Sequence, residues 1–256
     1  MRIRTAFQVI ILFVVLLPSS RPGLAEVLIV ADEFPAMEIV AGTLRTSAGI
    51  DSNLVSQEKL PASLSNYQTV VVYIHRDLSG RAENAFIDYA QSGGKLLLLH
   101  HSISSGKRKN AHWFKFLGVS LPQGELSQGG YKWIEPASFD LVNLNAKHFI
   151  MTNQIIYPKQ IAYFETNSPG SHSLPGFSLS ETEVYLNHND EGLRTVLMGL
   201  KFTDPKTGVS YAQHTAGWLK PAGQGWVIYL MPGHAKHDFE NPIYSRIVLN
   251  AILWKP

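Results

Sequence analysis

The 256-residue chain contains no cysteine. That absence removes thiol nucleophiles, thiolate zinc sites, iron–sulfur clusters and disulfide staples, and leaves packing and hydrogen bonding to hold the fold. Charge is scarce as well. Asp, Glu, Lys and Arg make up 16% of the residues, with a formal net charge of +2, a balance that argues against a dedicated nucleic-acid binder. There is no phosphate-binding loop: Gly223-Gln224-Gly225 precedes a strand-like run and not a helix. Nor is there a GxSxG turn, because His100-His101-Ser102-Ile103-Ser104 lacks the flanking glycines, so serine-hydrolase chemistry is not expected. What the chain does have is 45% hydrophobic residues. That content excludes disordered and collagen-like classes, and the length fits one domain with a substantial core.

The N-terminus reads as an address. Arg2 and Arg4 precede the apolar run Val9 to Leu17, followed by Pro18-Ser19-Ser20 and the small-residue site Gly23-Leu24-Ala25. The run is well short of the roughly 20 residues of a membrane helix. Residues 1–25 are therefore expected to be a secretory signal peptide, with an uncleaved anchor as the alternative. The body, residues 26–256, is expected to be exported to a bacterial periplasm or the extracellular space, with no stable membrane span after cleavage. Loss of Arg2, Arg4 and Arg21 turns the formal charge from +2 to −1. A near-neutral body suits a small uncharged ligand better than a polyanion.

Past Ala25, short apolar runs alternate with helical stretches. Val27 to Ala31, Thr69 to Ile74 and Lys95 to Leu99 are continuous runs of the kind buried on both faces, with a short strand near Leu54-Val55. Helices are expected over Pro35 to Ser47 and after the N-cap Ser79, the latter closed by Gly93-Gly94. This alternation implies an α/β fold, a three-layer sandwich on a mostly parallel sheet. From about Gly124 to Leu219 extra strands and loops are expected, including Tyr131 to Ile134, Ile161 to Phe164, Glu183 to Leu186 and Thr195 to Met198, with a long polar loop at Thr166 to Leu174. A late strand, Trp226 to Leu230, and a closing helix, Pro242 to Trp254, complete the chain.

Ligands of open α/β sheets bind beyond the carboxyl ends of the strands. His75, the pair His100 and His101, and His234 each follow such a strand. Imidazole can serve there as acid, base or metal ligand, or simply sit in a loop. Glu183 and Tyr185 share one face of a strand through its period of two. Trp133 and Trp218 could stack on sugar rings, whereas Trp113 reads as core. His234 and His237, with Asp238 and Glu240 close by, could ligate a metal, but their spacing matches no zinc motif and they read rather as a solvated polar loop.

Gly93-Gly94 leading to His100, the Glu183-Val184-Tyr185 strand, and Gly223 to His234 followed by Asn241-Pro242 and Trp254 together resemble the ThuA-like (trehalose utilisation) family, which is similar in fold to flavodoxin-like class I glutamine amidotransferases. The resemblance spans residues 26–256 as one ThuA-like domain. It implies functional roles for His100, Glu183, Tyr185, Trp218 and His234, and for His148 as the histidine that the family usually follows with proline. Phe149 stands there instead, Thr182 replaces an acidic residue, Trp226 replaces an arginine, and Thr152 to Gly176 is an insertion. The amidotransferase cysteine position is taken by His101 and Ser102, which excludes glutamine hydrolysis through a thioester.

The reading is a protein that acts on or binds a carbohydrate or sugar derivative. Catalytic roles fall to His100, Glu183 and His234, with Glu183 or His100 as general base; ligand contacts fall to His101, Tyr185, Trp218 and His148; no cofactor or resident metal is assigned. The alternatives are a non-catalytic binding protein on a degenerate amidotransferase-like fold, and a zinc-dependent hydrolase in which His100, His234 and Glu183 hold the ion.

Overall fold

A computed structural model describes residues 27–164 and 170–256, so the expected signal peptide lies outside the described residues. The first half follows the sequence closely. Strand β1 (Val27–Ala31) leads through helix α1 (Phe34–Ala48) to β2 (Ser52–Val55), and β3 (Thr69–Tyr73) leads through α2 (Gly80–Gln91) to β4 (Lys95–Leu99). The Ser79 hydroxyl accepts from the Ala82 N–H and starts α2 as its N-cap. The residues of β1 and β3 are buried throughout, which is why these strands show no polar alternation.

The remaining elements are α3 (Trp113–Leu117), β5 (Val119–Ser120), β6 (Lys132–Asn143), α4 (Phe149–Thr152), β7 (Lys159–Phe164), β8 (Ser171–Leu186), β9 (Asn189–Asp190), β10 (Thr195–Thr203), β11 (Ser210–Ala222), β12 (Gly225–Leu230), α5 (Lys236–Glu240) and α6 (Pro242–Leu253). One ten-stranded sheet runs β2-β1-β3-β4-β12-β11-β10-β6-β8-β7, and β5 pairs with β9 apart from it. The five strands from β2 to β12 are parallel. Every later pairing is antiparallel.

The expectation of a mostly parallel sheet is therefore corrected to a mixed sheet. The physical reason lies in the connections. Parallel neighbours need a crossover, which α1 and α2 supply, whereas most links between strands after β5 contain no crossover helix and favour antiparallel pairing. The expected polar loop at 166–174 is also shorter than anticipated, because β8 begins at Ser171. Helices α1, α5 and α6 pack together, while α2 packs on β4, β12 and α3. Chain order places the two groups on opposite faces. From β1 the chain crosses to β2 and from β3 it crosses the other way to β4, so right-handed crossovers put α1 and α2 on different sides. The reversal falls between β1 and β3, where a ligand crevice is expected.

Gly225 locks the late strand to the early ones. A Cβ there would collide with the carbonyl oxygens of Ala90, at the end of α2, and of Gly94, in the turn that leads to β4, and the Trp226 N–H donates to Gly94 O at 3.0 Å. Gly225→Ala is expected to destabilise the fold by about 3 kcal/mol, lowering Tm by roughly 6–12 °C for a domain of this size. Differential scanning calorimetry of the two proteins checks this.

Candidate active site

Four loops at the carboxyl edge of the parallel strands converge. After β4 the chain turns at once: His100 adopts φ 31°, a left-handed conformation rare for a residue with a side chain. Backbone held in such regions persists where surrounding structure enforces it, and it clusters at functional sites. The carbonyl of His100 accepts from the Tyr229 hydroxyl at 3.2 Å. Its ring is fully buried. Nδ1 donates to Met231 O at 2.6 Å, and Nε2 lies 2.8 Å from Glu183 Oε2. Both ring nitrogens thus face oxygens, which fixes the orientation of the ring. Tyr185 stacks on the same ring at 4.5 Å between centroids.

His234 completes the cluster from the end of β12. Gly233 takes φ 104°, and a Cβ on it would run into the Phe239 and Tyr244 rings, so only glycine lets the chain turn His234 inward. His234 Nδ1 lies 3.4 Å from Glu183 Oε2, and Nε2 lies 3.1 Å from Glu135 Oε1. Below it, the buried Asp238 carboxylate accepts from the Thr182 hydroxyl at 2.6 Å and the Ala235 N–H at 3.1 Å. The expected solvated loop is thus pinned to β8, because Asp238 closes its own helix start and reaches a strand hydroxyl.

His101 is buried among aromatic neighbours. His75 stacks on it at 4.3 Å with planes 6° apart, and Nδ1 lies 3.3 Å from the Tyr185 hydroxyl. Its Nε2 is buried with no partner. The segment carrying His75 is clamped from two sides. Asp32 accepts the N–H groups of His75 and Arg76 at 2.8 and 3.1 Å, while the buried Lys107 ammonium donates to the carbonyls of Ile74, His75 and Arg76. Burial lowers the Lys107 pKa to about 8, a value that still leaves the ammonium mostly charged at neutral pH.

Charge is distributed unevenly over the cluster. Burial alone would raise Glu183, but hydrogen bonds from His100, His234 and Tyr185 hold it well below the usual carboxylate range. The Glu183 carboxylate in turn raises His234. His101 moves the opposite way, pushed far down by burial and by the neighbouring imidazoles. The arrangement therefore contains an ionised carboxylate, a histidine biased toward its cationic form, and a second histidine held neutral.

A cleft of about 300 Å³ opens onto Glu183, Tyr185 and His234, and Tyr131, Trp133 and Glu135 also line it. Trp133 is 55% exposed and pairs directly with Tyr185 across β6 and β8, so their side chains share a face. The structure brings together His100, His101, Glu183, Tyr185 and His234, as the sequence suggested. Tyr131 and Glu135 were not anticipated at the site, although a spacing of two from Trp133 was a usable signal. Glu33, 3.3 Å from His75, carried no such signal.

Two expected ligand contacts lie elsewhere. Trp218 is fully buried within β11, with the Arg194 guanidinium 4.4 Å from its ring centroid and Tyr229 packed at 5.5 Å. An interior strand covered on both faces leaves its ring no access to the cleft. His148 accepts from the Ile150 N–H as the N-cap of α4 and packs on Trp254, which in turn meets Trp226 at the start of β12. That is the amino end of the parallel strands, opposite the cluster. The insertion after it does not carry His148 to the cleft.

The family model for ThuA, trehalose utilisation, matches residues 29–255. The chain belongs to the ThuA family. Among solved structures, a ThuA-like protein from Parabacteroides merdae is 15% identical, with a TM-score of 0.61 and 89% of this chain covering 88% of that one. A ThuA-like protein from Bacteroides uniformis is 18% identical, with a TM-score of 0.58 and 88% of each chain covered. The β-galactosidase from Rahnella sp. R3 is 12% identical and has a TM-score of 0.55; the match covers 89% of this chain and 30% of the enzyme. At these identities the likeness is one of fold. No curated protein sequence matches the chain. Within this ThuA-family chain, His148 serves a helix end, so His148→Ala is expected to cost about 0.5–1 kcal/mol and to leave ligand affinity at the cleft unchanged, as read by denaturant titration and calorimetric binding.

Proposed function

We propose that this ThuA-family protein is exported and binds or acts on a carbohydrate or sugar derivative in the cleft between Trp133 and the His100–Glu183–His234 cluster. The observation that carries the reading is the exposed Trp133, which lines the same cleft as Glu183 and His234. An aromatic face packs on the apolar side of a sugar ring, while fixed donors and acceptors engage its hydroxyls. The printed family description, trehalose utilisation, supports the same substrate class. Export rests on the N-terminal basic, apolar and small-residue pattern alone.

The electrostatics assign roles within that reading. A carboxylate held far below its ordinary pKa is a weak proton acceptor, so Glu183 serves to orient His100 and His234 and not as the general base. His234, raised by the Glu183 carboxylate, lines the cleft with Nε2 on Glu135, so a sugar oxygen that displaces Glu135 would meet an imidazole biased toward donating a hydrogen bond or proton. Glu135, on the other side of His234, is the carboxylate open to the cleft. The same weakness of Glu183 as a base favours, as a second reading, binding without turnover. Neither form requires a covalent nucleophile.

Isothermal titration calorimetry against a panel of mono- and disaccharides, including oxidised sugars, tests the reading. Trp133→Ala is expected to weaken the responding sugar at least tenfold, in keeping with the loss of one aromatic stacking contact of about 1.5 kcal/mol. His234→Gln is expected to abolish any turnover while retaining part of the affinity. No binding by any sugar, or unchanged affinity in Trp133→Ala, overturns the proposal. Recovery of the protein only from the cytoplasmic fraction overturns export.

A further inference from the structure

The histidine cluster has an organisation that hydrogen bonding to a sugar does not explain. His100 Nδ1 is fixed on Met231 O, leaving Nε2 turned toward Glu183. His234 Nε2 is held by Glu135, leaving Nδ1 turned toward the same Glu183 oxygen. His101 Nδ1 is near the Tyr185 hydroxyl, leaving Nε2 buried without any partner. Each of the three imidazoles therefore has one nitrogen engaged by an oxygen and the other not committed to a neutral acceptor. One ligand atom from each of His100, His101, Glu183 and His234 lies within 4.8 Å of all the others.

We propose that His100, His101, Glu183 and His234 form a binding site for one divalent transition-metal ion. Four ligands about 2.0–2.1 Å from an ion in tetrahedral geometry sit roughly 3.4 Å apart, so the cluster needs side-chain adjustments of about an ångström to close. Donor chemistry selects the class of ion. Three imidazole nitrogens and one carboxylate oxygen suit zinc, cobalt or iron(II), and disfavour magnesium and calcium, which take oxygen ligands. Histidine ligands that hold an acceptor through their other nitrogen are fixed in tautomer and orientation; Met231 O and Glu135 supply those acceptors here. Nε2 of His101 is buried without a partner, a costly arrangement, and an ion held through that nitrogen would relieve it.

This site does not depend on the sugar reading, and the two are tested apart. The full-length chain, stripped with chelator and reloaded with Zn²⁺ or Co²⁺ in the absence of sugar, is expected to retain one equivalent by elemental analysis. Cobalt loading is expected to give the visible absorption of a low-coordinate nitrogen and oxygen site. His101→Ala and Glu183→Gln are each expected to weaken Zn²⁺ at least tenfold by competition titration against a zinc chelator, whereas His148→Ala is expected to leave it unchanged. Circular dichroism of each stripped variant confirms that it is folded, and Glu183→Gln preserves shape should His101→Ala fail to fold. Substoichiometric retention of both metals, or affinity unaltered in folded His101→Ala and Glu183→Gln proteins, overturns the proposal.

Discussion

The contact between His100 Nε2 and Glu183 Oε2, at 2.8 Å, joins two differently built parts of the molecule. His100 ends a parallel strand placed by local crossovers, and Glu183 lies on an antiparallel strand reached 83 residues later. An ionised carboxylate buried beside apolar strands is tolerable only if donors surround it. Every other feature of the cluster serves that need. Tyr185 stacks on the imidazole that donates, Gly233 permits the backbone that brings His234 alongside, and Asp238 ties the segment after His234 to the strand that carries Glu183. Removing the carboxylate would leave two imidazoles facing each other with nothing between them.

Sequence periodicity revealed the parallel half well because its strands are short, buried on both faces and separated by helices with clear caps, Ser79 being the plainest. It also pointed to strand ends whose histidines, His100, His101 and His234, lie side by side in the structure. Its failures share a cause. Glu135 meets His234 and Tyr131 meets Tyr185 through the pairing of β6 with β8, whose register shifts between Ile134 and Ala137; a spacing of two marks a shared face without saying which strand lies beside it. Trp218 was misplaced for the complementary reason: a tryptophan motif says nothing about which strand lies interior. His148 was assigned by its match to a family motif, yet its local setting, two residues before the N–H it caps, already pointed to a helix start.

The turn after β4 is strained at one residue. His100 takes a left-handed φ of 31° there, with imidazole and hydroxyl side chains around it. The geometry of such a turn belongs to the backbone and to the strands on either side, so the residue it displays can be exchanged without rebuilding the sheet. That separation is consistent with a fold shared by ThuA-like proteins and a segment of a β-galactosidase at identities far too low to preserve a site.

Lys107 links the cluster to a part of the chain that never touches it. Its ammonium gathers three successive carbonyls, Ile74 to Arg76, into one focus, as a bound cation would, while remaining covalently attached to the turn that follows His101. The chain has in effect supplied its own immobile counter-ion. Any displacement of the 105–109 turn must drag the His75 peptide with it and shift the ring stacked on His101. The outer rim of the cleft and its buried floor are thereby geared together, and the precision of the imidazole stack is set by a lysine that contributes no atom to it.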